Sequence, residues 1–165
     1  MRKNLLLIGL ICASFGLFSC FKKDTGCSYQ KDNTQASTSD KEVLKQYLDS
    51  TGIVATMDSN GFYYQIITKG IGTVPGPCSR ITVSYVGSLT NGSIFDQQTD
   101  ALFTLGGLIP GWKQGLPLIS KGGEIKLYVP PSLGYGGTAQ LSESGSIVIP
   151  ANSILIFDIN LIDVQ

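Results

Sequence analysis

Apolar and polar residues alternate with different periods along this chain, and the period changes mark its parts. Leu5 to Phe18 is an uncharged, mostly apolar run of 14 residues behind Arg2 and Lys3. It is too short to span a bilayer comfortably, and it reads as an export signal over residues 1–19. Residues 20–39 are polar, without an apolar period, and read as a flexible tether. Val43, Leu44, Tyr47 and Leu48 then recur at spacings of three and four, which predicts a short helix. Ser39 or Asp40 would cap it and Gly52 would end it, within an N-terminal helix and linker at 40–59.

From Asn60 the period becomes two. Gly61 to Ile67 is a strand, stopped by Gly70 and Gly72, and Ile71 to Cys78 is a loop with two Pro and two Gly. Arg80 to Val86 alternates as a half-buried strand does. Asn91-Gly92 signals a type I′ turn that returns the chain toward Ile94 and Phe95. Leu102 to Leu105 reads as a short strand and Pro110 to Leu116 as a brief helix. Glu124 to Val129 is a strand closed by Pro130-Pro131, and Leu133 to Gly145 is a Gly/Ser-rich loop. Ile154 to Val164 ends the chain with Leu155, Phe157, Ile159 and Leu161 alternating. Several strands around one short helix predict a small α+β domain over residues 60–165.

Composition narrows the chemistry. The 165 residues hold 12 basic and 12 acidic side chains and no histidine. Without histidine there is no imidazole base, no Ser-His or Cys-His nucleophile and no imidazole metal ligand. No cofactor and no metal site are expected. Zero net charge without a basic cluster argues against nucleic acid as a partner.

The cysteines follow from export. The signal ends Leu17-Phe18-Ser19-Cys20, which resembles the bacterial lipobox, with Cys20 lipidated as the new N-terminus. The alternative is an ordinary secretory signal in which Cys20 is incidental. Cys12 leaves with the signal, so Cys27 and Cys78 remain as an even pair in an oxidising compartment. A bridge between them would close a loop of about fifty residues and stabilise by roughly 4 kcal/mol. The alternative is two free thiols. These readings place the chain in the cell envelope, lipid-anchored, on the outer membrane and facing the periplasm.

A set of short motifs carries a resemblance. Val83-Ser84-Tyr85-Val86-Gly87 and Asn91-Gly92-Ser93-Ile94-Phe95-Asp96 come first. Phe103-Thr104-Leu105-Gly106, Ile109-Pro110-Gly111-Trp112 and Gly115-Leu116 follow. Gly122-Gly123-Glu124, Val129-Pro130-Pro131, Leu133-Gly134-Tyr135-Gly136, Ile149-Pro150-Ala151-Asn152 and Leu155-Ile156-Phe157-Asp158 complete the series. Each motif alone is weak, but their order resembles that of an FKBP-type peptidyl-prolyl isomerase domain, over about residues 60–165.

The resemblance implies an antiparallel β-sheet, a half-barrel, wrapped around a short helix with an apolar pocket between them. It implies that Tyr85, Asp96 and Tyr135 act in catalysis. Phe95, Phe103, Leu108, Ile109, Trp112, Ile149 and Phe157 would bind substrate, with Trp112 as floor and the Ile109 N–H as a donor to a substrate carbonyl. It also implies proline-containing exported proteins as substrates, macrolides as possible inhibitors, and a monomer. The chain departs from the family pattern at Ala101, where an aromatic is expected, at Ser84, and in the short segment between Asp96 and Phe103. The loop Gly137–Ile149 is longer than in minimal members.

The residues fit such chemistry by themselves. Rotation about an Xaa-Pro bond needs neither nucleophile nor metal, only a pocket that favours the twisted amide. Aromatic residues in a small β domain also serve as plain core, and Asp96 could merely cap a turn. A second reading of the same pocket is a binding module or assembly factor for proline segments, with little turnover. A third is a purely structural envelope lipoprotein.

Overall fold

The computed structural model describes residues 26–165. The expected signal and Cys20 lie outside the described residues. Among the described residues the elements run α1 (Thr38–Thr51), β1 (Thr56–Met57), β2 (Tyr63–Thr68), β3 (Arg80–Leu89), β4 (Ile94–Thr104), α2 (Pro110–Gly115), β5 (Gly123–Val129), β6 (Gln140–Leu141), β7 (Ile147–Ile149) and β8 (Leu155–Val164). Six strands form one antiparallel sheet in the order β1-β2-β5-β8-β3-β4, and β6 and β7 pair as a separate ribbon.

The strongest alternations in the sequence occupy the middle of that sheet. Leu155, Phe157, Ile159 and Leu161 of β8 are buried, and so are Ile81, Val83 and Tyr85 of β3. With a side-chain period of two, these residues share one face. On that face they pack with Leu127 and Val129 of β5 and with Trp112 and Leu116. The intervening residues Tyr128 and Ile156 turn to the other face, where they meet Leu44 and Leu48 of α1. The sheet is thus covered on one side by α1 and on the other by α2. The expected α+β class and FKBP-like architecture describe it.

Several local expectations are corrected. Helix α1 is capped by Ser37, whose Oγ accepts the Asp40 N–H at 3.1 Å, and not by Ser39 or Asp40. Asp40 instead accepts the Ser132 N–H at 2.8 Å, which docks the helix on the domain. Gly52 ends the helix as expected. The Asn91-Gly92 turn is not type I′. Gly92 has φ 84° while Asn91 is not among the positive-φ residues, so a type I turn precedes a left-handed Gly92. The Gly92 N–H donates to Leu89 O at 2.9 Å, and Asn91 Oδ1 accepts the Ser93 N–H at 2.9 Å. The strand expected over Leu102–Leu105 is the end of a longer one: β4 runs from Ile94 to Thr104, with register shifts opposite Val83–Tyr85 and Gly87–Ser88. Ser84 Oγ accepts the Asp100 N–H there at 3.3 Å. Part of the loop read over Leu133–Gly145 folds into the β6–β7 ribbon.

The expected tether is a strap in its described part. Cys27 and Cys78 are joined by a disulfide, with Cα atoms 5.9 Å apart. Asp32 Oδ2 lies 2.5 Å from Lys113 Nζ, and Asp32 Oδ1 accepts from Gln114 Nε2 and from the Thr34 N–H, at 2.9 Å each. Burial alone would raise the Asp32 carboxyl, but the bonds from Lys113, Thr34 and Gln114 outweigh it and hold the group well below the usual carboxylate range. Ala36 is buried and donates its N–H to Asn60 O at 2.8 Å. Most of residues 26–37 are exposed, as their polar composition announced, but specific partners on the domain hold the segment in place at Cys27, Asp32 and Ala36.

Helix α2 lies unusually close to β5, and two glycines one helical turn apart allow it. A Cβ on Gly111 would stand 2.6 Å from Val129 Cγ1, and one on Gly115 would stand 2.7 Å from Leu127 Cδ2. Val129 is branched at Cβ and cannot swing away, whereas Leu127 can yield at its tip. Gly111→Ala is therefore expected to lower unfolding free energy by about 1–3 kcal/mol through overpacking. That loss outweighs the gain of about 1 kcal/mol in helix propensity. A denaturant titration that finds the variant as stable as the parent would contradict this packing.

Candidate functional site

The site forms where α2 crosses β3, β4 and β8. Pro110 opens α2, which is favourable because a first-turn N–H needs no helical partner. That places Trp112 in the first turn, against the sheet, at 4% exposure. Three rings stand edge-on to its indole. Tyr85 lies 5.1 Å away between centroids at 88°, Phe157 at 5.3 Å and 89°, and Phe103 at 6.2 Å and 89°. Phe95 stands edge-on to Phe157 at 5.6 Å. Edge-to-face pairs are worth about 0.5–1.5 kcal/mol each beyond their burial, so this box is rigid.

The box encloses a pocket of about 150 Å³. Tyr85, Phe95, Asp96, Phe103, Leu108, Ile109, Trp112, Tyr135 and Phe157 line it. Nine of the ten residues expected at a substrate site therefore converge. The tenth, Ile149, is buried at 4% in the core and does not line the pocket. It ends β7 opposite Gln140, and this pairing turns it inward beneath the ribbon. Ala101 is also buried in the core, opposite Val83, so Phe103 alone of that stretch supplies an aromatic wall.

One polar pair faces this apolar floor. The Tyr85 hydroxyl donates to Asp96 Oδ2 at 2.5 Å. Burial first, then the hydrogen bond to Asp96 and the carboxylate's charge, push the Tyr85 phenol well above the ordinary tyrosine value. Burial and the Asp96 charge also raise Tyr135, which sits on the rim at 39% exposure. Both phenols are thus protonated donors near neutral pH. The Ile109 carbonyl accepts from the Trp112 and Lys113 N–H groups at 3.0 and 3.1 Å. Its own N–H donates to none of the described residues and is free for a carbonyl in the pocket. Trp112 Nε1 is likewise a buried donor without a partner among them.

Sequence reasoning passed over Gly87 as a site residue. A Cβ there would stand 2.6 Å from the Phe95 ring and 3.1 Å from Phe157. Gly87 therefore makes the room in which these two rings meet. Its place as the one glycine of a strand rich in β-branched residues was the available signal.

Comparison with known proteins agrees with this geometry. The family model described as FKBP-type peptidyl-prolyl cis-trans isomerase matches residues 72–162. The FKBP-type peptidyl-prolyl cis-trans isomerase FkpA of Escherichia coli is 35% identical over 148 residues, 87% of this chain and 52% of that protein. The crystal structure of Escherichia coli FkpA superposes with a TM-score of 0.64 at 37% identity, covering 77% of this chain and 58% of that one. A peptidyl-prolyl cis-trans isomerase structure from Pseudomonas syringae superposes with a TM-score of 0.64 at 29% identity, covering 80% of this chain and 98% of that one. The chain spans about half the length of the curated relatives it matches.

The raised Tyr85 phenol has a consequence for stability. Below about pH 10 Tyr85 is protonated in folded and unfolded chains alike, and its bond to Asp96 contributes in full. As the pH rises above that value the unfolded phenol ionises first, so stability falls toward the folded pKa. Tyr85→Phe is expected to be about 1 kcal/mol less stable at neutral pH and to decline less steeply between pH 10 and 12. Parallel alkaline declines in denaturant midpoints would refute the assignment.

Proposed function

The chain belongs to the FKBP-type peptidyl-prolyl cis-trans isomerase family, and on that premise we propose that it catalyses rotation about Xaa-Pro bonds in exported polypeptides. The observation that carries the proposal is the small aromatic box on Trp112, opened toward one carboxylate and a set of protonated donors. A pocket of about 150 Å³ suits a single ring rather than an extended ligand.

The bond to be turned is held by amide resonance, with a barrier of about 18–20 kcal/mol. In the proposed mechanism the proline ring lies on the Trp112 indole between Tyr85, Phe95, Phe103 and Phe157. The Ile109 N–H takes a carbonyl beside the proline and keeps one side of the bond still. The other side turns in the apolar box. The twisted amide carries less charge separation than the planar one, so a poorly hydrated site favours it. Asp96, held by Tyr85, supplies a fixed negative charge next to the turning group, and Tyr135 closes the rim. No proton transfer and no covalent intermediate enter.

The proposal extends to location. Lipidation at Cys20 would tether the domain to the membrane, on the outer membrane facing the periplasm, where folding chains are clients. The Cys27–Cys78 bridge supports an oxidising compartment. The chain would work as a monomer, and macrolides would compete for the box.

The test follows cis–trans exchange in a short Leu-Pro peptide with the full chain. Acceleration is expected, and Asp96→Ala should lower kcat/KM roughly tenfold to a hundredfold without unfolding the protein. A folded chain that leaves exchange unaccelerated would sink the catalytic reading and leave a proline-binding module. Anchoring has its own test. Cys20→Ser expressed in a bacterial host should move the chain from the detergent phase to the aqueous phase, and an unchanged partition would overturn the lipid anchor.

A further inference from the structure

The strap grips the chain on both flanks of the stretch that builds the pocket floor. The first grip is Tyr29, just beyond the bridged Cys27. A Cβ on Gly106 would stand 2.5 Å from Tyr29 Cβ and would collide with the ring, so only a glycine lets Tyr29 lie this close to the backbone. The Gly106 N–H donates to Pro77 O at 2.8 Å and the Leu105 N–H to Ser79 O at 3.0 Å, the residues that flank the bridged Cys78. The turn at Leu105–Gly107 is thus held by Tyr29 and by the loop to which the disulfide ties the strap.

The second grip is Asp32. Its Oδ2 lies 2.5 Å from Lys113 Nζ, and Gln114 Nε2 donates to its Oδ1 and to Thr34 O, at 2.9 Å each. The side chains of Asp32 and Lys113 are 10% and 21% exposed, so the pair is sheltered from the water that weakens surface ion pairs. Between the two grips Gln30 and Lys31 are exposed and stand off the domain, where they line a cavity of about 480 Å³ with Gly106 and Lys113. The hold is therefore concentrated at Tyr29 and Asp32. Between Gly106 and Lys113 run Leu108, Ile109 and Trp112, three residues that line the aromatic pocket. The Ile109 N–H donates to none of the described residues. No hydrogen bond of its own sets where it points, so its direction follows from the turn before it and the helix after it.

Resting on the isomerase reading, we propose that Tyr29 and Asp32 are positioning residues for the reaction. From outside the pocket they fix the two flanks of Leu108–Trp112, aim the Ile109 N–H at the substrate carbonyl and keep Trp112 seated as the floor. Neither touches the substrate. A misplacement of about 1 Å in a positioned group can cost on the order of a hundredfold in rate, so releasing one flank is a kinetic event as well as a structural one.

The experiment measures exchange in a Leu-Pro peptide with the full chain and its variants, well below every melting midpoint, where a merely stabilising role leaves the rate alone. Tyr29→Ala and Asp32→Ala are each expected to lower kcat/KM about fivefold or more, while Tyr29→Phe, which keeps the ring, stays within about twofold of the parent. Two signals inside the pocket should move with the rate. Tyr29→Ala should shift the Ile109 amide resonance, and Asp32→Ala should move the emission of Trp112, the single tryptophan of the chain, to longer wavelength. Folded alanine variants with the parent's kcat/KM and unshifted signals overturn the proposal, even if their melting midpoints fall. Should Asp32→Ala fail to fold, Asp32→Asn replaces it, keeping an acceptor for Gln114 and losing the charge that meets Lys113. Should the unaltered chain leave exchange unaccelerated, the isomerase reading fails by itself. The affinity of the Leu-Pro peptide for the same variants, read with the two signals, then decides for or against Tyr29 and Asp32.

Discussion

The close approach of α2 to β5 governs this molecule. Gly111 and Gly115 bring the helix backbone against Val129 and Leu127, closer than any side chain would allow. Because the helix sits that low, Trp112 reaches Tyr85 and Phe157 and becomes a floor rather than a surface residue. The same seating turns Lys113 and Gln114 outward, where Asp32 meets them. One packing constraint therefore sets the aromatic box on one side of the helix and the anchoring of the strap on the other. A helix displaced by a methyl group would loosen both, since packed interiors leave little slack.

The aromatic box achieves its properties through geometry, not through reactive groups. Rings set near 90° to the indole wall off a small volume. Within it the Tyr85 hydroxyl is committed to Asp96, and that commitment orients the carboxylate. Electrostatic terms of this kind strengthen as solvent is excluded. The absence of histidine in the chain is consistent with chemistry that moves no proton. The proposed reaction asks such a site to hold a ring, hold one carbonyl and let the remaining bond turn.

Much of this was legible in the sequence, and the parts that were not share a cause. The alternations of Arg80–Val86 and Ile154–Val164 became β3 and β8, because burial of one sheet face is written as period two. The ordered motifs led to nine pocket residues because each is tied to a local turn or strand. Ile149 failed because it was placed by motif proximity, while the β6–β7 pairing turns its side chain into the core. Residues 26–37 failed for the opposite reason. They are polar, yet Asp32, Thr34 and Ala36 find partners far along the chain, at Gln114, Lys113 and Asn60. Helix α1 is capped by Ser37, not Ser39 or Asp40, and the Asp40 carboxylate accepts from Ser132 of a distant segment instead.

By itself, then, the sequence determined β2, β3, β5 and β8, the short helix opened by Pro110, the chemistry that an absent histidine excludes, and the identity of most pocket residues. These are local quantities: periodicity, turn chemistry and side-chain type act over a few neighbouring residues. Only the tertiary structure decided that the polar N-terminal segment is a strap, that Ile149 is core, and that a cavity about 480 Å³ in volume lies behind α2. These depend on which distant groups meet, and a partly buried charge such as Asp32 is held where partners such as Lys113 and Gln114 are in place. Neighbouring residues cannot report such a meeting, because its energy comes from the desolvated pair and not from either segment alone.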